Sequence, residues 1–115
     1  MRKVYVSHNN IISSLGFSSE AVVKNIHNEV SGLQKISDKS ILVEPCHTSL
    51  IPTKKLQSSF FELSPKSDYT RLEQMMISSL STIIEASNIA LNERVGLIIS
   101  TTKGNIDALD DNNPF

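Results

Sequence analysis

Two short apolar runs limit what this chain can fold into more than anything else in it. Residues 3–7 carry Val4, Tyr5 and Val6 in succession, and residues 93–100 carry Val95, Leu97, Ile98 and Ile99 around Gly96. Neither run alternates with polar residues, so each reads as a strand buried on both faces, the type found in parallel sheets covered by helices. Each is also closed by a polar segment, Asn9-Asn10 after the first and Thr101-Thr102-Lys103-Gly104 after the second. A buried strand passing into a helix through a short polar loop predicts an α/β architecture. Two such strands cannot make a stable sheet alone, since three or more, or helical cover, are needed.

The cover is predicted between the runs. Ser18 is an expected N-cap with Glu20 in the first turn, Phe17 is placed to staple onto Val22, and Val22, Ile26 and Val30 recur on one face, with Gly32 just past the expected end. Residues 67–87 form the strongest helical pattern. Thr70 and Glu73 have the capping-box spacing, and Leu72, Met76, Leu80, Ile83 and Ile84 make one apolar stripe beside the small residues Ser78, Ser79 and Ala86. A further helix is expected from Asn105 to about Asp111. Residues 33–66 hold Pro45, Pro52 and Pro65 and form an irregular excursion, with one β-like run at Ile41, Leu42 and Val43 and a short helix near Lys54 to Phe60. Its length exceeds a normal connection, so it should pack on something.

Composition excludes several classes. A length of 115 residues allows one domain, and 11 Lys plus Arg against 12 Asp plus Glu give a net charge of −1 with the signs scattered. Nucleic acid or an anionic membrane bound through bulk charge needs concentrated cations, which are absent. No run approaches the ~18 apolar residues of a membrane span, and Met1-Arg2-Lys3 leads only into a short strand, so a soluble, cytoplasmic protein without a secretory signal is expected. The single cysteine, Cys46, excludes an internal disulfide and a Cys-rich zinc site.

Candidate chemistry is sparse. The loop Ser100-Thr101-Thr102-Lys103-Gly104 is placed where backbone amides would favour an anion, but Lys103 precedes Gly104 and no upstream glycine stands at Walker A spacing, so a plain strand-to-helix turn is expected. His8, His27 and His47 lack metal-ligand spacing. Cys46 beside His47 is adjacency rather than a catalytic pairing, which is spatial. Asp107, Asp110 and Asp111 read as solvated carboxylates rather than a metal site. Met75 and Met76 read as packing residues. No catalytic residue, metal or cofactor is expected from these residues.

Four stretches together resemble a known family. Val4-Tyr5-Val6-Ser7-His8-Asn9-Asn10-Ile11-Ile12-Ser13-Ser14-Leu15-Gly16 resembles the opening strand and turn of the β-ketoacyl-acyl-carrier-protein synthases, roughly Val-Val-Ile-Thr-Gly-x-Gly-x-x-Ser-Pro-Leu-Gly. Ser31-Gly32-Leu33 is similar to the family's Ser-Gly-Ile. Thr70-Arg71 and the long helix to Ser87-Asn88-Ile89 resemble its Asp-Arg helix ending in Ala-Gly-Leu. Arg94-Val95-Gly96-Leu97-Ile98-Ile99-Ser100-Thr101-Thr102-Lys103-Gly104 resembles its Arg-Val-Gly-Val-Ile-Ile-Gly-Thr-Gly-x-Gly. The stretches stand in family order at family spacing over nearly the whole chain.

The resemblance implies a partial thiolase-like α/β/α layered fold, the first strands and helices of an N-terminal half. It implies a parent acyltransferase that condenses an acyl thioester with malonyl thioester carried on acyl carrier protein, as a homodimer or heterodimer. The family's catalytic Cys, in a Thr-Ala-Cys elbow, and both catalytic His match no residue here, so this chain alone is expected to be inactive. What transfers is the wall of the acyl tunnel near the dimer interface, at Lys103 and Ile106 as substrate-binding positions. Departures are His8, Asn10, Ser100 and Thr102 in place of glycines, Ser14 for Pro and Thr70 for Asp, which point to a divergent member. A non-catalytic synthase-like partner subunit and a complete small α/β binding module are the alternative readings. A piece of a longer protein would self-associate through unpaired strand edges.

Overall fold

The computed structural model describes residues 2–40, 43–65 and 68–109, which form a small mixed α/β structure. Its elements are α1 (Ser19–His27), β1 (Gln34–Ile36), β2 (Cys46–Thr48), α2 (Thr53–Leu63), α3 (Arg71–Ser87) and a four-residue 3-10 turn at Ile106–Leu109.

Helix α1 starts where expected: the Ser18 hydroxyl accepts from the Ala21 amide at 3.2 Å. It stops earlier than Gly32. Glu29 takes φ 56°, its N–H donates to Ile26 O, and the Val30 N–H donates to Asn25 O at 2.9 Å. That pair of bonds is the Schellman closure, with Glu29 in the left-handed position that glycine usually fills. Val30 therefore lies beyond the helix, and Ile26 is exposed, leaving Val22 as the buried apolar residue of α1. Gly16 touches the start of this helix closely. A Cβ built there would lie 2.8 Å from the Ala21 Cβ, so the Ser13–Gly16 turn, closed by two backbone bonds, admits no side chain at Gly16.

The excursion supplies a small ribbon. β1 and β2 pair antiparallel in the register Gln34↔Thr48, Lys35↔His47 and Ile36↔Cys46. The β-like run expected at 41–43 is not part of it: Val43 is exposed in the connection between the two strands, and Ile41 and Leu42 lie outside the described residues. The helix expected near Lys54 to Phe60 is present as α2 and longer at its C-terminal end.

Helices α2 and α3 build the main core. Leu56 and Phe60 are buried, and the Phe60 ring meets Tyr69 edge to face at 5.2 Å between centroids. Arg71 ties the two helix starts together, donating through Nη1 to the Thr53 hydroxyl at 2.8 Å and through Nη2 to Ile51 O. The capping box of α3 forms as its spacing predicts. Glu73 N–H donates to Thr70 Oγ1 and the Thr70 N–H donates to Glu73 Oε2 at 2.8 Å. Asn88 closes α3 in the left-handed conformation, at φ 53°.

The two strands expected at 3–7 and 93–100 are not formed. Val4 and Val6 are each 92% exposed and Ile98 is 93% exposed, and neither run pairs with another segment among the described residues. The physical reason is that a strand is defined by its partner. Without a ladder and without cover on its faces, an apolar run remains irregular chain whatever its propensity. The helix expected from Asn105 to about Asp111 is only the 3-10 turn, with Asp110 and Asp111 outside the described residues.

Candidate functional site

The polar loops and α3 together frame one open groove. α3 provides its floor with Leu72, Met76 and Leu80, residues of the stripe read from sequence. After the left-handed turn at Asn88 the chain comes back, and Leu97 to Thr101 form one wall. Asn10 and Ser79 sit at the rim, where the Asn10 amide donates to the Ser79 hydroxyl at 3.2 Å. The groove holds about 580 Å³.

Its far end is pinned to the start of α3. The Asn105 amide donates to Glu73 Oε1 at 3.1 Å, while the other oxygen of the same carboxylate serves the capping box. The Gly104 amide donates to Thr101 Oγ1 at 3.1 Å, with Gly104 at φ 69°, a conformation that disfavours any side chain there. Glu73 thus both starts the helix and holds the returning segment against it. The second carboxamide atom of that clasp, Asn105 Oδ1, is buried with no hydrogen-bond partner among the described residues, as is the Ser78 hydroxyl on α3.

The groove's lining is mostly apolar. It offers aliphatic and thioether side chains, an amide and three hydroxyls, and none of its lining residues is a carboxylate, imidazole, thiol or amine. General acid–base or nucleophilic catalysis needs an activated group within hydrogen-bond reach of its proton, and the lining provides no base to activate Ser79, Ser100 or Thr101.

The other candidates are dispersed. His8 is exposed and shares a 2.5 Å hydrogen bond with the Ser7 hydroxyl, His27 is exposed in the last turn of α1, and His47 is exposed on β2. Cys46 is half-buried opposite Ile36, on the other face of the ribbon from His47. Among the described residues no group of three or more His, Cys, Asp or Glu is placed to hold a metal ion, and no helix is long and apolar enough to cross a membrane. The loop ahead of the 3-10 turn offers no helix dipole of useful length for an anion. Lys103 and Ile106 are exposed, and neither lines the groove. Asn10, signalled in the sequence only as a turn former, is the rim residue that sequence reasoning missed.

No family model, no curated protein and no solved structure matches this chain.

Proposed function

We infer that the chain is the N-terminal part of a divergent β-ketoacyl-acyl-carrier-protein synthase. In that reading the complete protein transfers an acyl group to a downstream Cys. It then condenses that group with malonyl thioester on acyl carrier protein, and two downstream His stabilise the enolate and the thioester oxyanion. The 3–7 and 93–100 runs become neighbouring strands of a thiolase-like sheet, and Lys103 and Ile106 contribute to the wall of the acyl tunnel.

The observation that carries the reading is a convergence on α3. Asn10, within the first family-like stretch, bonds to Ser79 of the third stretch, and Leu97 to Thr101 of the fourth line the same groove. Three of the four sequence stretches thus meet on one helix, as members of a single layered unit would. The exposed apolar side chains of both runs are the surface that such a sheet would cover.

The test is the coding sequence downstream of residue 115. A Cys in a strand-to-helix elbow followed by two separated His is expected there, and their absence overturns the reading. As a biochemical check, the 115-residue chain incubated with malonyl-acyl-carrier-protein should release no carbon dioxide above background, whereas turnover by this chain would place the reacting groups within it and contradict the proposal.

A further inference from the structure

We draw no further inference here: the strongest candidate, the open apolar groove between α3 and the returning segment at Leu97 to Thr101, belongs to the site already described, and nothing in the structure shows what covers it.

Discussion

At the residue scale, Glu73 carries more of the organisation than its position in an α-helix suggests. Its two carboxylate oxygens receive the Thr70 amide and the Asn105 side chain, so one residue fixes where α3 begins and where the returning chain is held. Glu73→Ala removes both bonds and should cost about 2 kcal/mol in chemical denaturation, about 1 for the cap and about 1 for the clasp. Asn105→Ala should cost only the second part, and the double variant should cost less than the sum, which a double-mutant cycle reads directly. Glu29 has the opposite character. It occupies a left-handed position with a side chain attached, so Glu29→Gly should stabilise the chain by about 1 kcal/mol, seen as a higher denaturation midpoint. Asp38 shows a third, electrostatic effect. Hydrogen bonds from the Ser40 hydroxyl and then the Ser40 amide hold its carboxyl below the usual carboxylate range. A carboxyl depressed in the folded state adds stability above its unfolded pKa and loses it as pH falls through the folded value. In an NMR titration, Ser40→Ala should move the Asp38 midpoint upward, and an unchanged midpoint would remove the hydroxyl as the cause.

At the scale of elements, the two helices α2 and α3 are where the apolar energy is concentrated, in Leu56, Phe60 and the Tyr69 ring. Phe60→Ala should cost about 3–5 kcal/mol, enough to unfold a chain whose buried apolar side chains among the described residues are Val22, Leu56 and Phe60. Thermal unfolding followed at the helical band should show the transition broaden or vanish. The starts of α3 and α1 were also the most legible features. Thr70 and Glu73 stand at a spacing with a local mechanism, and Ser18 caps α1 for the same reason, so three or four residues suffice to announce each start. The end of α1 was not legible because its closure uses Glu29, a residue without left-handed preference, ahead of the glycine that would normally mark it. The β1–β2 ribbon escaped because Gln34-Lys35-Ile36 and Cys46-His47-Thr48 carry almost no strand pattern, while Val43, the described residue of the more β-like run, lies exposed outside both strands. The converse error concerns the runs at 3–7 and 93–100. Their composition states what they require, burial on both faces, and composition does not provide the partner. In the groove, the floor residues were read correctly as a stripe on α3, and what the sequence left out was the rim contact of Asn10 with Ser79, a pairing across 69 residues that no local pattern encodes.

At the scale of the whole molecule, exposed area is the quantity that links the apolar runs to behaviour in solution. The chain presents 9677 Å² to solvent, whereas a compact monomer of its mass would present roughly 6,200 Å² and its unfolded chain roughly 18,400 Å². Folding therefore buries about seven-tenths of the surface that a compact domain of this size buries. The Cα radius of gyration of 16.8 Å, against about 13 Å for a compact chain of this length, points the same way. Heat capacity follows buried apolar surface. A compact domain of 115 residues should unfold with a ΔCp of about 1.5 kcal/mol/K, and seven-tenths of that is about 1.1 kcal/mol/K. Scanning calorimetry at a concentration where sedimentation shows monomer should give the lower value. A dilute monomer that already unfolds with the full compact value would mean that the outward side chains of the two runs are covered within a single chain.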